Sequence, residues 1–136
     1  NSFKKELFEG THNFKQTGGN SFKLSLYTNS AVLGKSTTSF TTDAQVSNSG
    51  QYTSGGGALV NGGTSLSTNT AIVDFADRSF TGVTLTARGA LIYNDTASGD
   101  PAVCVLDFGG DKTATSGTFT IQFPAFTASA AILRVT

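Results

Sequence analysis

Several residue types are scarce in this chain, and each scarcity argues against a class of function. Its 136 residues include one histidine, one cysteine, two prolines and neither methionine nor tryptophan, and only 13% are charged. The formal net charge is zero, and no basic run is longer than the pair Lys4 and Lys5. Nucleic-acid-binding proteins usually carry a positive patch or stripe, so neither DNA nor RNA is an expected partner.

Long apolar segments are also missing. The apolar run Ala102–Leu106 is among the longest, and it is far shorter than the ~20 residues that a membrane-spanning helix requires. No basic-then-apolar signal segment opens the sequence, so we expect no membrane partner. The chain begins with Asn1 and has no methionine, which indicates either a processed start or an incomplete gene product.

The single histidine and the single cysteine limit the chemistry that the chain can perform. A serine or cysteine nucleophile would have only His12 as its histidine base, and no Gly-x-Ser-x-Gly elbow occurs. We therefore expect no enzyme, and a His12 that lies in a turn, hydrogen-bonded or solvated. Cys104 lies among apolar neighbours and is predicted to be a buried, unreactive thiol.

Two loop patterns bear on ligand binding. The stretch GGDKT has Asp111 where a phosphate loop needs glycine, so no nucleotide site is predicted. Asp95 and Asp100 share one turn, and carboxylates on loops can bind Ca²⁺. Asp107 and Asp111 flank a second turn. Because Asp and Asn are also ordinary turn formers, we favour that interpretation and expect neither a metal nor another cofactor.

Thr, Ser, Gly and Asn dominate the rest of the sequence and indicate many short strands joined by turns. Alternating apolar residues support this pattern in three places. The three rows are Phe22, Leu24 and Leu26; Ala71, Val73 and Phe75; and Phe119, Ile121 and Phe123. We predict an all-β chain, an antiparallel β-sandwich of jelly-roll or immunoglobulin-like type, with residues 1–136 as a single domain.

Between residues 34 and 63 the alternation is lost in a stretch rich in Ser, Thr, Asn and Gly. The glycines Gly55–Gly57 mark a flexible turn before a short strand near Ala58–Val60. We expect this region to be the most exposed part of the chain.

The N-terminus carries a helical pattern. Phe3 and Leu7 lie four residues apart, with Ser2 as a candidate cap and Gly10 as a stop. A helix of two turns is too short to be stable by itself. We therefore expect residues 1–20 to form a segment that docks onto the sandwich.

Turn residues between positions 94 and 101 separate two apolar segments and predict an antiparallel hairpin. Placing Tyr93 opposite Ala102 makes bulky residues face small ones along the pair, as close packing requires. The same register sets Arg88 directly opposite Asp107, and we predict a structural ion pair between them. A shift by one residue would deprive Arg88 of this carboxylate.

The stretch Gly109–Gly117 predicts a second turn, after which residues 118–123 would add a third strand. The reverse face of this predicted sheet is half apolar, whereas a solvated face should alternate to polar residues. We expect the N-terminal helix, another strand or a neighbouring subunit to cover it. The predicted interface residues are Phe3, Leu7, Phe8, Ala90, Ile92, Val103 and Val105.

Four stretches together carry a family resemblance: FKKELFEGTHNF, SFKLSLYTNSA, ADRSFTGVTLTARGALIYN and AVCVLDFGGDKTATSGTFTIQFP. In these stretches the chain resembles short virion structural proteins encoded by tailed bacteriophages. The resemblance spans nearly the whole chain and includes the specific block LDFGGDK. It implies a virion component without catalytic residues, whose partners are other copies of itself and a major capsid or tail protein.

Two functional hypotheses are open at this point. We favour a capsid decoration or cement subunit, which would assemble through the apolar sheet face and the N-terminal segment. The alternative is a tail-associated protein or a glycan-binding adhesion module that uses Tyr27, Tyr52 and polar loops. The absence of tryptophan weakens glycan binding, because sugar-binding platforms favour large flat aromatic side chains.

Overall fold

The computed structural model describes all residues from Asn1 to Thr136 as two antiparallel sheets and one short helix. The prediction of an all-β antiparallel sandwich with an N-terminal helix is confirmed. The elements are α1 (Ser2–Phe8), β1 (Phe22–Tyr27), β2 (Gly57–Ala58), β3 (Asn61–Ser67), β4 (Thr70–Phe75), β5 (Arg78–Asn94), β6 (Ala102–Ile121) and β7 (Leu133–Val135).

The seven strands divide into a large and a small sheet. The large sheet has the order β2-β1-β5-β6, and the small sheet has the order β3-β4-β7. This division into four and three strands is that of a constant-type immunoglobulin sandwich, although the order of the strands differs. β5 and β6 form a hairpin that is much longer than the other strands and extends from the turn near Tyr93 to the pair Arg78 and Ile121.

The main core lies between the two sheets and is built on aromatic rings. Phe22 of β1 stacks on Phe14 with ring centroids 4.6 Å apart, and it meets Phe75 of β4 edge-on at 5.6 Å. The alternating residues Leu24 and Leu26 are fully buried in the same core. Burying such side chains is the main favourable term in folding, so these rings hold the N-terminal segment and both sheets together.

A second, smaller core covers the other face of the large sheet. Tyr27, Leu91, Tyr93 and Ala102 are buried there, and the loop that follows β1 packs over them. Phe40 of this loop stacks on Tyr93 with ring centroids 4.7 Å apart. β1 is therefore buried on both faces, which the alternation of its sequence did not indicate.

The region from residue 34 to 63, expected to be the most exposed, contributes to both cores. Val46 and Tyr52 are buried in the main core, and Phe40 covers the smaller one. The hydroxyl of Tyr52 accepts a hydrogen bond from the backbone N–H of Leu26 at 2.8 Å. The expectation did not foresee these buried side chains, because a loop can bury single large side chains without any periodic pattern.

The register of the β5–β6 hairpin differs from the prediction by one residue. Tyr93 faces Ala102 as predicted, but Ile92 faces Cys104, so Val103 is an extra residue in the ladder. Such an insertion is a β-bulge. Side chains alternate between the two faces of a strand. The slip therefore changes which β5 side chains share a face with which β6 side chains beyond the bulge, and Ile92 points toward the main core.

The predicted turn at Gly109–Gly117 does not form, and the predicted third strand is the last part of β6. Instead, β6 passes through this stretch with irregular pairing. The ladder steps from Gly89 opposite Asp107 to Ala87 opposite Lys112, so residues 108–111 bulge outward. Gly109 has a φ of 74°, which a glycine adopts without strain. The glycines therefore allow a β-bulge and do not form a turn that reverses the chain.

The helix α1 forms as its sequence predicts, with one difference at its start. Asn1, not Ser2, occupies the N-cap position, and Gly10 follows the helix with a φ of 71°. Phe3 and Leu7 pack against the main core. These two contacts explain how so short a helix is held in place.

Candidate functional site

The predicted interface residues of the large sheet are not on the surface. Ala90, Ile92 and Val103 are buried inside the main core, so the prediction that they contact a partner is wrong. The register slip described above turned Ala90 and Ile92 inward. Val105 is half-buried and packs against the smaller core. The chain itself therefore covers the apolar face that was expected to attract a neighbour.

The helix residues of the predicted interface behave differently. Phe3 and Leu7 are half-buried against the main core. Phe8 points away from it and is 95% exposed, the second most exposed of the large apolar side chains after Val32 at 98%. Exposure of a whole phenylalanine is unfavourable in water, so Phe8 is the natural starting point in a search for a contact surface.

The small sheet carries an apolar row that the core does not cover. Leu66, Ala71 and Val135 pair across its three strands. They lie on the same face as Phe75, because residues two apart on a strand share a face. Phe75 is buried, whereas Leu66 is 72% and Val135 is 58% exposed. We call this row of Leu66, Ala71 and Val135 the apolar overhang, since the core-facing side of the sheet extends past the core.

A groove of about 210 Å³ separates the helix from the small sheet. We call it the helix groove. Phe3, Leu7 and Phe14 line one wall, and Arg134 is the one charged residue among those lining it. The groove runs into the apolar overhang, because its remaining lining residues are Thr64, Ala71, Ile72, Val73, Leu133 and Val135. The groove and the overhang thus form one apolar area, of the kind that marks binding surfaces. Phe8 lies on the same helix as Phe3 and Leu7 but does not line the groove.

A buried polar network fixes the N-terminal segment against the hairpin turn. His12 Nε2 lies 2.9 Å from Glu6 Oε2, and Asn94 Nδ2 lies 3.2 Å from His12 Nδ1. Because an amide nitrogen only donates, Nδ1 accepts this bond and Nε2 carries the proton toward Glu6. Asn94 Nδ2 also donates to Asn20 Oδ1 at 3.0 Å. Both ring nitrogens are engaged, so the geometry of His12 indicates a structural role.

Sequence reasoning placed His12 in a hydrogen-bonded or solvated turn and missed its partners. His12 is hydrogen-bonded but buried; Glu6 lies six residues before it on the N-terminal helix, whereas Asn94 comes from a distant part of the chain. The side-chain oxygen of Asn94 accepts from the backbone N–H groups of Thr96 and Ala97. The position of Asn94 at the start of the turn was the available signal, since Asn often caps its own backbone there.

The ion pair between Arg88 and Asp107 forms, but it does not join directly opposed residues. Arg88 Nε lies 3.5 Å from Asp107 Oδ1, both side chains are largely exposed, and Asp107 faces Gly89 in the ladder. The backbone N–H of Gly109 donates to the same carboxylate at 2.8 Å. This bond is the main cause of the lowered pKa of Asp107, and the bond from Arg88 lowers that pKa further. The predicted ion pair is therefore present despite the one-residue slip in register, and an exposed pair of this kind contributes little to stability.

The residues proposed for glycan binding are not accessible. Tyr27 and Tyr52 are buried, and their hydroxyl groups are bonded to the chain, the Tyr27 hydroxyl donating to the carbonyl of Thr41 at 2.6 Å. Burial raises the pKa of both phenols. Neither ring can serve as a platform for a sugar, so this part of the alternative hypothesis is wrong.

Other reactive groups are also engaged or shielded. Burial raises the pKa of the Cys104 thiol to about 12, so it is protonated at neutral pH and a poor nucleophile. Asp95, one of the candidate calcium ligands, pairs with Lys23 at 2.9 Å. No group of three or more His, Cys, Asp or Glu side chains is arranged to hold a metal ion. None of the helices has the length and apolar character needed to cross a membrane.

Comparison with known proteins found no matching family model, no matching curated protein and no matching solved structure. Phe8, the helix groove and the apolar overhang are therefore the features of the chain that bear on its function.

Proposed function

We propose that the protein is a non-enzymatic structural subunit of a virion, a capsid decoration subunit that contacts its partners through Phe8, the helix groove and the apolar overhang. Its partners would be other copies of the chain and the major capsid or tail protein. The resemblance of four stretches to virion structural proteins of tailed bacteriophages motivates the choice of particle.

The observation that carries the proposal is the exposure of Phe8 on the helix whose Phe3 and Leu7 line an apolar groove. Complete burial of one such apolar side chain contributes about 1.5–3 kcal/mol. Phe8, Leu66 and Val135 together therefore offer a substantial gain to any complex that covers them. The chain has few charges and no net charge, so an apolar contact supports binding to a protein surface better than to a polyanion.

Co-sedimentation with particles that lack the protein tests this proposal. We expect the wild-type chain to sediment with heads, and the Phe8→Asp variant to remain in the supernatant because a carboxylate cannot be buried in the contact without a partner. Val32→Asp is the matched control, since Val32 is 98% exposed and lies outside the proposed surface. Both variants should retain the wild-type melting temperature.

Separated heads and tails distinguish the two particle positions. Binding to heads supports decoration, whereas binding to tails alone favours the tail-associated alternative. The proposal fails if the wild-type chain binds neither, or if Phe8→Asp binds as well as Val32→Asp. The glycan-binding alternative is not carried forward, because Tyr27 and Tyr52 are buried.

A further inference from the structure

We infer that two copies of the chain pair through the last part of β6, antiparallel about a two-fold axis, so that their large sheets join into one continuous sheet. The pairing uses the outer edge of residues 113–121, which we call the free edge. This surface differs from the one proposed for contact with the virion, and the inference does not depend on the virion role.

The first argument concerns the backbone groups of the free edge. β6 is the last strand of the large sheet, and its ladder pairs with β5 on one side only. None of the backbone hydrogen bonds made outside the helices and strands involves residues 103–121. The outward row of N–H and C=O groups therefore has no backbone partner. Such a row binds an extended chain that offers alternating donors and acceptors, as an added strand does.

The second argument is that the free edge lacks the features by which proteins keep edge strands apart. These features are lysine and other charges, proline and outward bulges. The preceding part of β6 has them, in the bulge at residues 108–111 and in Asp107, Asp111 and Lys112. Residues 113–121 contain neither a charge nor a proline. Two identical copies of this edge therefore do not repel each other.

The third argument is that the free edge matches itself in one register. Ala114 and Phe119 are buried in the main core, whereas the four threonines of the free edge are exposed. In an antiparallel pair, directly opposite residues share a face of the sheet. One register satisfies this condition throughout, and its pairs are Thr113 with Thr120, Ala114 with Phe119, and Thr115 with Thr118.

This register also accommodates the irregularity of β6. The ladder to β5 shifts between Ala114 and Gly117, and Ser116 has a φ of 48°. The shift is the reason why the buried positions Ala114 and Phe119 lie an odd number of residues apart. The two-fold axis passes between Ser116 and Gly117, so the irregular part of each strand meets its own copy. A slip by one residue would set a buried side chain opposite an exposed one.

The fourth argument is a groove of about 440 Å³ beside the free edge. All of its lining residues belong to β6 or follow it directly. Phe108 and Phe119 supply its aromatic part, with ring centroids 6.1 Å apart. Because a single strand supplies the lining, the groove is the space next to that strand, where a neighbouring strand would lie. A second copy fits this space because the same patch contacts itself about a two-fold axis.

Sedimentation equilibrium of the intact chain tests the inference. We expect the wild type to dimerise with increasing concentration. Thr115→Lys combined with Thr118→Lys places like charges directly opposite each other, and should raise the dimer Kd by at least about tenfold. Val32→Lys combined with Asn69→Lys is the matched control, because it adds the same charge at exposed positions outside β6. This control should dimerise like the wild type.

Two results of this experiment overturn the inference. One is a wild type that stays monomeric at sub-millimolar concentration. The other is a double-lysine variant of Thr115 and Thr118 that dimerises like the wild type.

A charge-swap experiment tests the register as well as the pairing. Thr115→Asp combined with Thr118→Asp should also be monomeric by itself, because carboxylates then face each other. Mixed with the double-lysine variant, it sets a carboxylate opposite each ammonium group, and a heterodimer should form. A heterodimer would also show that both variants are folded. A mixture that remains monomeric contradicts pairing in this register.

The free edge can be told apart from the surface proposed for the virion contact. Phe8→Asp should dimerise like the wild type, because Phe8 belongs to α1 and not to β6. If Phe8→Asp abolishes the dimer and the double-lysine variant does not, self-association uses the other surface and the inference fails. A chain that dimerises through the free edge but binds neither heads nor tails supports the inference and overturns the virion role.

Discussion

At the scale of single residues, Gly89 shows how closely two strands of the hairpin approach. A Cβ atom at this position would lie 2.5 Å from the carbonyl oxygen of Leu106. The predicted hairpin placed small residues opposite bulky ones, and at Gly89 the structure locates the constraint in the backbone of Leu106. A backbone atom cannot move aside as a flexible side chain can, so the position requires glycine.

Gly89→Ala should therefore destabilise the protein. We expect a loss of about 1–3 kcal/mol, the usual cost of inserting a methyl group into a well-packed site. Gly110→Ala is the matched control on the partner strand, because a Cβ there meets nothing within 4 Å. Urea unfolding followed by circular dichroism measures both variants. Equal midpoints for Gly89→Ala and the wild type would show that the strands can separate without cost.

Single residues were also where sequence reasoning was least successful. Tyr27 and Tyr52 were expected on the surface under the glycan-binding hypothesis, yet both rings are buried. Each hydroxyl finds a backbone partner far away in the sequence, at Thr41 and Leu26. Such partners are set by the fold and leave no local pattern, so exposure of a tyrosine could not be predicted from the sequence.

At the scale of elements, the positions of the strands were easier to predict than their pairing. The alternating rows marked β1 and β4, and the turn residues marked the β5–β6 hairpin. The bulge at Val103 then shifted the register by one residue and inverted the predicted faces. A bulge shifts the pairing by one residue but leaves no recognisable mark in the amino-acid composition of either strand. The faces, and with them the predicted interface, could therefore not be derived from alternation alone.

The N-terminal segment depends on the buried side chain of Asn94. Asn94→Ala removes the donor to His12 Nδ1 and leaves this buried ring nitrogen without a partner, which costs about 1–3 kcal/mol. We expect lower stability and faster tryptic cleavage after Lys15, as the segment detaches from the hairpin turn. Limited proteolysis followed by mass spectrometry detects this cleavage.

Asn29→Ala is the control for this experiment, because Asn29 is exposed and makes one long side-chain contact with Asp111 at 3.4 Å. Its cleavage rate should equal that of the wild type. If Asn94→Ala is cleaved no faster than Asn29→Ala, the polar network does not hold the segment, and the apolar contacts of Phe3 and Leu7 suffice.

At the scale of the whole molecule, the two cores leave one surface incompletely covered. The main core joins the sheets, and the smaller core covers the outer face of the large sheet. On the core-facing side of the small sheet, the core ends at Val73, and Leu66 and Val135 of the apolar overhang remain mostly exposed. The all-β class followed from composition and alternation, whereas the overhang follows from how far the core extends, which only the assembled fold reveals.

The central claim is that Phe8 is a contact residue in the assembled state. A cryo-electron microscopy map of the particle, at a resolution that shows side chains, tests this most directly. We predict that the Phe8 ring is enclosed by apolar side chains of a neighbouring subunit. A Phe8 ring that faces solvent in every copy of the particle would contradict the claim.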